Sequence, residues 1–217
     1  MPKGSSRSKH HLNLQAFEET LSPEARYWVG FLLADGCISN CNGHIMICLA
    51  LKFEDAEHVR KFAKFVGVCD ESIREYDHCT NFGKGHGVQL AFTGKELIPQ
   101  LAKYGVVPRK TKTASAPPSL AHDPDFWRGL MDGDGCVGNY NSYNQIQFGG
   151  TLAMVEGFRD VCYAITGFRP ALTPSRSIFQ TGLRGARATK LLQWLYYPGA
   201  VALERKARAW THQIQTN

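Results

Sequence analysis

The chain has 217 residues, 43% hydrophobic and 20% charged, enough for one large domain or two small ones with a buried core; that balance excludes overall disorder. Lys and Arg total 25 against 19 Asp and Glu, and the net charge of +6 with a pI near 9.0 favours a polyanionic partner such as nucleic acid. There is no apolar run of about 18 residues and no apolar secretory core, so neither a membrane span nor secretion is expected.

Residues 1–21 read as a basic N-terminal arm. Ser22-Pro23 supplies an N-cap followed by proline at the first helical position, opening a helix over about 23–35. That helix carries WVGFLLADGCI from Trp28 and stops at Asp35-Gly36. Polar, turn-forming residues lead into a strand near 44–52 and a helix over 54–66 that ends at Gly67. Strands near 71–78 and 87–93 and a helix over 95–104 follow, and Arg109-Lys110 closes the stretch. Thr111 to Ala121, TKTASAPPSLA, has linker composition. Asp123-Pro124 then opens a second series, with a helix over 124–134 carrying WRGLMDGDGCV from Trp127. A strand near 144–149, a helix over 153–166 ending at Gly167, strands near 168–173 and 177–182 and a helix over 186–197 complete it. Arg205-Lys206 stands within a last helix over about 202–213.

The chain therefore repeats itself. Five of the eleven motif positions are identical at a fixed offset of 99 (134 less 35): Trp28/Trp127, Gly30/Gly129, Asp35/Asp134, Gly36/Gly135 and Cys37/Cys136. The division is an arm over 1–21, one repeat over 22–110, a linker over 111–122 and a second repeat over 123–217. Each repeat reads as helix, two strands, helix, two strands, helix, an α+β arrangement of antiparallel strands with helices on one face.

Gly30 and Ala34 are four residues apart, as are Gly129 and Gly133, so each motif helix carries a stripe of small residues along one face. Such stripes let two helix backbones approach closely, and the two repeats are expected to meet through them about a pseudo-twofold axis. Asp35 and Asp134 sit at helix C-termini, the negative end of the helix dipole, and would lie close together if the helices pack side by side. Either acid alone reads as a turn residue; the symmetric pair calls for a nearby cation. Hard oxygen ligands suit Mg²⁺, and paired carboxylates with a divalent metal suit phosphodiester hydrolysis. Asp132 has no acidic counterpart, since Leu33 fills the matching place, and is read as solvated or supporting. Cys37, Cys41 and Cys48 lie near one another in sequence and His78 precedes Cys79, but no CxxC pair occurs, so no zinc site is expected. The odd number of cysteines, seven, without a secretion signal reads as reduced thiols in a cytosol-like compartment.

The two motif segments resemble the paired LAGLIDADG motifs of the homing endonucleases in their single-chain, two-motif form. YGVVPRKT from Tyr104 and YYPGAVALERKA from Tyr196 resemble the endings of that family's repeats, while Leu33 and Gly133 depart from its literal letters. The resemblance implies two αββαββα repeats forming a saddle of two four-stranded antiparallel sheets, seated in the DNA major groove with the motif helices packed at the centre. It implies a monomer that makes a Mg²⁺-dependent double-strand break with short 3′ overhangs in a long pseudo-palindromic site. Mn²⁺ is expected to substitute, and Ca²⁺ to support binding without cleavage. By the same resemblance Asp35 and Asp134 match metal-binding acids, with the carbonyls of Ala34 and Gly133 as neighbouring ligands. Lys110 and Lys206 match lysines that approach the active sites. Lys52 falls at a strand end where some members carry a basic active-site residue; the second repeat has Thr151 or Leu152 there, which hints at two unequal centres.

Strand alternation adds a surface for double-stranded DNA. Arg74, Tyr76 and His78 share one strand face, and Gln145 and Gln147 share another, residue types suited to base edges. Gln180 joins them, while Lys84, Arg169, Arg176 and Arg184 are expected on phosphates. Glu75 and Asp77 should point elsewhere or accept from cytosine. Any one of these could instead be a solvated position. The function expected is a homing endonuclease of cytoplasmic, phage or organelle encoding. The alternatives are a non-cleaving nucleic-acid binder of the same fold, such as an RNA-splicing maturase or regulator, or a metal-free interaction module.

Overall fold

The computed structural model describes residues 11–41, 43–80, 83–140 and 143–211. The first repeat runs α1 (Pro23–Ala34), β1 (Gly36–Cys41), β2 (His44–Lys52), α2 (Ala56–Val66), β3 (Ile73–Thr80), β4 (Gly83–Thr93) and α3 (Leu97–Ala102). The second runs α4 (Pro124–Gly133), β5 (Cys136–Tyr140), β6 (Tyr143–Gly150), α5 (Leu152–Thr166), β7 (Thr173–Ser175), β8 (Ile178–Arg184) and α6 (Gly185–Leu195), and α7 (Glu204–Thr211) follows. Each repeat is thus αββαββα, and each builds one antiparallel four-stranded sheet, ordered β1-β2-β4-β3 and β5-β6-β8-β7.

The two motif helices start alike. Ser22 Oγ accepts from Ala25 N at 3.1 Å and Asp123 Oδ1 from Phe126 N at 3.0 Å, each with proline next in sequence. Both helices run through the centre of the molecule with their small-residue stripes face to face. A Cβ on Gly30 would stand 2.1 Å from the Phe126 carbonyl oxygen, and one on Gly129 2.1 Å from that of Tyr27. At those two points backbone rests on backbone, and only glycine fits. Around this seam each repeat has its own aromatic core: Trp28 packs on Phe62 and Phe31, and Trp127 on Phe148 and Phe158.

Several boundaries differ from the sequence reading. A strand, β1 or β5, starts directly after each motif helix, where turn-forming residues were expected; these strands anchor little apolar surface beyond Ile38 and Val137 and form by pairing with β2 and β6. β7 covers Thr173–Ser175 rather than 168–173. The displaced segment is tied to α5 instead, with Arg159 Nε donating to Pro170 O at 2.7 Å and Arg169 paired to Glu156 and Asp160. β3 begins at Ile73, after a 3-10 turn over Asp70–Ser72. Residues 11–21, grouped with the arm from sequence, pack on the first repeat: Phe17 is fully buried, and its N–H donates to Gln100 Oε1 at 3.1 Å. Residues 1–10 of the arm and residues 212–217 lie outside the described part. The linker also packs, with Leu120 buried and Ala114 O accepting from Thr151 Oγ1 at 2.6 Å.

Candidate active site and nucleic-acid face

Asp35 and Asp134 cap the C-termini of α1 and α4, their N–H groups donating to Phe31 O and Leu130 O at 2.9 Å. Both residues reach the surface, with their carboxyl groups set back against the two helix ends. The following glycines permit this turn: a Cβ on Gly36 would lie 2.7 Å from Leu32 O, and one on Gly135 2.8 Å from Met131 O. At Gly133 a Cβ would lie 2.3 Å from the Ala34 Cβ and 3.3 Å from Asp35 Oδ2. The carboxylate ending α1 therefore reaches the last turn of α4, and the departure from alanine at Gly133 makes the room. Burial, and then the charge of Asp134, push the Asp35 carboxyl up to about 6, against the pull of Lys206, Lys110 and Arg205. Burial raises the Asp134 carboxyl too, opposed by Lys110 first and Lys206 second. The acids are close enough to repel, and each draws on the lysine of the other repeat.

Those lysines answer part of the requirement that the acids posed in the sequence. Lys110 Nζ donates to Gly36 O at 2.6 Å, and Lys206 Nζ to Gly135 O at 2.6 Å, so equivalent carbonyls at the two helix ends each accept from an ammonium group. Lys206 also donates to Met131 O, Asp132 O and Gly133 O. Burial lowers both lysines from their ordinary range, and neighbouring acids partly restore them. Lys52 stands apart: it is exposed at the end of β2 opposite Gly87, and among the described residues it bonds to neither acid. Thr151 in the second repeat caps α5, accepting from Met154 N at 3.1 Å.

Asp132 is not solvated. It is fully buried, and its carboxylate accepts from Tyr27 OH (2.8 Å), Tyr196 OH (2.7 Å) and Leu203 N (2.7 Å). Tyr27 OH also meets His58 Nε2 at 2.8 Å. Because that hydroxyl donates its proton to Asp132, the imidazole must donate from Nε2, which leaves buried Nδ1 without a hydrogen bond. Beside this hub Arg128, 1% exposed, binds Val201 O, Leu195 O and Asp125 Oδ1. The hub joins α1, α2, α4 and the chain leading into α7. Its members are scattered in the sequence, and the one available signal was an acid inside the apolar motif helix.

Register sorts the remaining candidates by face, because directly opposed residues share one. On the first sheet Arg74, Tyr76 and His78 lie opposite Gln89, Gly87 and Gly85, on the face not covered by helices. The Tyr76 and His78 rings lie across Gly87 and Gly85, where a Cβ would approach within 2.7 and 2.5 Å. Lys52 shares this face, opposite Gly87. Lys84 does not: it has the alternation of buried Val88 and Leu90, together with Cys79 opposite it, and so belongs to the other face of the sheet. Glu75 and Asp77 are on that same side, turned from the open face as expected, and grip His86 at 3.3 and 2.7 Å. On the second sheet Gln145, Gln147, Gln180 and Arg184 share the open face, and Arg176 occupies the β7–β8 turn. The Arg169 guanidinium is engaged by Glu156 and Asp160 of α5. A cleft of about 350 Å³ joins the open face to the centre, lined by Ala34, Lys110, Asp134, Cys136, Gln147 and Gln180.

Two carboxylates beside the carbonyl-rich ends of α1 and α4 offer oxygen donors, which suit a hard divalent cation. Among the described residues no three His, Cys, Asp or Glu side chains cluster in a metal-holding arrangement. Any ion here would rely on the two acids, on backbone oxygen and on water or phosphate.

Two αββαββα repeats sharing their motif helices, with paired acids at the shared end, define the fold of the LAGLIDADG homing endonucleases, and the chain has that fold. It is similar to the homing endonuclease I-WcaI bound to its DNA recognition sequence, at 14% identity over 87% of each chain with a TM-score of 0.63. It is similar to the LAGLIDADG meganuclease I-AabMI bound to uncleaved DNA, at 13% identity over 90% of this chain and 92% of that one, TM-score 0.53. The N-terminal LAGLIDADG domain of DUF199/WhiA also resembles it, at 12% identity over 86% of this chain and 90% of that one, TM-score 0.50. No protein-family model and no curated protein matches the sequence. No helix among the described residues is long and apolar enough to cross a membrane.

Proposed function

We propose that the protein is a site-specific DNA endonuclease of the homing type, cutting both strands of a long, roughly two-half site with Mg²⁺ and leaving short 3′ overhangs. The observation that carries this reading is the meeting of Asp35 and Asp134 at the shared end of α1 and α4, each with a lysine of the opposite repeat as its strongest attractive neighbour. Binding would use the open faces of both sheets, with Arg74, Tyr76, His78, Gln145 and Arg184 toward the major groove, and the net charge of +6 drawing in the duplex. I-WcaI and I-AabMI are DNA-bound in their structures, which supports the same partner here.

Asp35 and Asp134, with the carbonyls of Ala34 and Gly133 nearby, would hold the divalent ion. Once bound, it supplies a polarised phosphoryl oxygen and a more acidic water. The chain's own residues do the rest. The acids would hold the metal, and α1 and α4, packed backbone to backbone, keep the two carboxylates in a stiff mutual geometry. The lysines hold positive charge where the phosphorane gathers negative charge. Mn²⁺ would substitute, and Ca²⁺ would support binding without cutting. The chain would work as a monomer, because both halves of the site are already present.

The test is a cleavage selection. Purified protein is incubated with a large random duplex library in Mg²⁺, and the cut ends are sequenced. A single long site with short 3′ overhangs supports the proposal. A folded protein that retains DNA but enriches no cut ends would point to a non-cleaving binder of the same fold, the class that includes RNA-splicing maturases and regulators.

A further inference from the structure

The two lysines at the helix ends are held very differently. An ammonium group has three N–H donors. Lys206 Nζ is surrounded by four carbonyl oxygens, of Met131 (2.7 Å), Asp132 (2.7 Å), Gly135 (2.6 Å) and Gly133 (3.2 Å), so all of its donors are committed to the end of α4. Lys110 Nζ has one acceptor among the described residues, Gly36 O at 2.6 Å, which leaves two donors. It also lines the cleft that contains Asp134 and Gln147.

The difference traces to one position of the repeat. Asp132 takes the Leu203 N–H at 2.7 Å, and Leu203 O in turn receives Lys206 N and Ala207 N as α7 begins. Asp132 therefore seats the first turn of α7 and delivers Lys206 to the carbonyls. Leu33, its counterpart, offers no such anchor. Lys110 instead sits in a 3-10 turn over Lys110–Lys112, entered through Arg109 in the left-handed region at φ 59°.

We propose that the two centres are unequal. Lys110 gives its two remaining N–H groups to the phosphate beside Asp134, Lys206 caps α4 and contributes its charge but no hydrogen bond, and the strand served by Lys110 is cut first, through a nicked intermediate. The inference rests on the nuclease reading above. Removing one positioned donor from a developing oxyanion slows such reactions about 10²–10³-fold, so the imbalance should be large enough to resolve.

The experiment uses the duplex recovered by cleavage selection, its strands 5′-labelled with different fluorophores, in single turnover with Mg²⁺. The expected result is transient nicked duplex broken in one particular strand. Lys110→Met should slow that strand at least about tenfold and leave the other much less affected. Lys206→Met, which loosens the end of α4 near both acids, should slow both strands alike. Simultaneous cutting without a nicked species, equal slowing of both strands by Lys110→Met, or a strand-selective effect of Lys206→Met would overturn the inference. A folded, DNA-retaining wild type that cuts neither strand would overturn the nuclease reading itself. Competitive acetylation read by mass spectrometry gives an answer without cleavage. Lys110 should react faster than Lys206 in the free chain and be protected by the duplex in Ca²⁺; equal reactivity, or no protection, would overturn the inference even if Lys110→Met fails to fold.

Discussion

Adding one methyl group at the seam between the motif helices should separate catalysis from stability. In Gly129→Ala the new Cβ would lie 2.1 Å from Tyr27 O and 2.7 Å from Phe31 N; in Gly30→Ala it would lie 2.1 Å from Phe126 O. Relieving either contact even to 3.0 Å needs at least 0.9 Å of movement (3.0 less 2.1), and the obstructing atoms are backbone that no rotamer change can clear. Overpacking of this kind costs about 1–3 kcal/mol. Replacing a mid-helix glycine by alanine returns about 1 kcal/mol of helix propensity. The net loss per variant should therefore be about 0–2 kcal/mol, and the double variant should lose less than the sum because both methyls push the same pair of helices apart. Catalysis should suffer far more, because Asp35 reaches across to Gly133 at the end of this seam and a misplacement of about 1 Å can cost about 10²-fold in rate. Urea titration followed by tryptophan fluorescence gives the stability, and single-turnover cleavage gives the rate. If Gly129→Ala kept both its midpoint and its cutting rate, the close backbone approach and its link to the paired acids would be refuted.

Asp35→Asn and Asp134→Asn should each suppress double-strand cutting while leaving affinity in Ca²⁺ nearly unchanged; full cutting by both variants in a gel assay would remove the acids from the mechanism. Asp132→Leu strands two tyrosine hydroxyls and the Leu203 N–H, and should destabilise the fold by on the order of 3 kcal/mol or more, measured by urea unfolding. His58 is held neutral, burial pushing it down to about 3, while the unfolded chain takes up a proton near the ordinary value of 6.5. Its contribution to stability is therefore complete above about pH 6.5 and is lost as the pH falls toward 3. Between pH 6.5 and 4.5 that loss is about 2–3 kcal/mol. Asp35, raised to about 6, acts in the opposite sense over part of this range, and comparison with His58→Gln cancels its share. A stability curve with the same acid slope in wild type and variant would sink the assignment. On DNA, Arg74→Ala should lower affinity more than Lys84→Ala or Arg169→Ala, whose side chains lie on the helix-covered side or are held by α5; equal losses in a binding titration would contradict the assigned faces.

The motif helices, their caps and their contact stripe were legible because each depends on residues three or four apart. A glycine and a small neighbour on one helical face announce a close partner whatever that partner is. The duplication named the partner as well. β1 and β5 were hidden because GCISNC and Cys136–Tyr140 are rich in Gly, Asn and Cys; they are strands by virtue of the ladder beside them, which local composition does not record. The buried role of Asp132 was illegible for a related reason, since Tyr27, His58, Tyr196 and Leu203 come from four separate stretches of chain. Alternation placed Arg74, Tyr76, His78 and the glutamines correctly relative to one another. Lys84 has the parity of the core, and Arg169 is paired with acidic neighbours one turn apart on α5. The lysines were expected near the acids and are there, but that their first partners would be helix-end carbonyls required the fold.

Housing both repeats in one polypeptide has a historical corollary. Two copies of a single repeat would have to present matching open faces, and every substitution would appear twice. Here one face offers arginine, tyrosine and histidine and the other three glutamines and an arginine, and position 33 is leucine where its counterpart, position 132, is a buried acid. Each half can therefore vary in what its open face presents, while the α1–α4 seam and the hub around Asp132 tie the two together. Sequence variation among descendants of this gene should accordingly concentrate on the two open faces, independently of each other, and nearly vanish at Gly30 and Gly129.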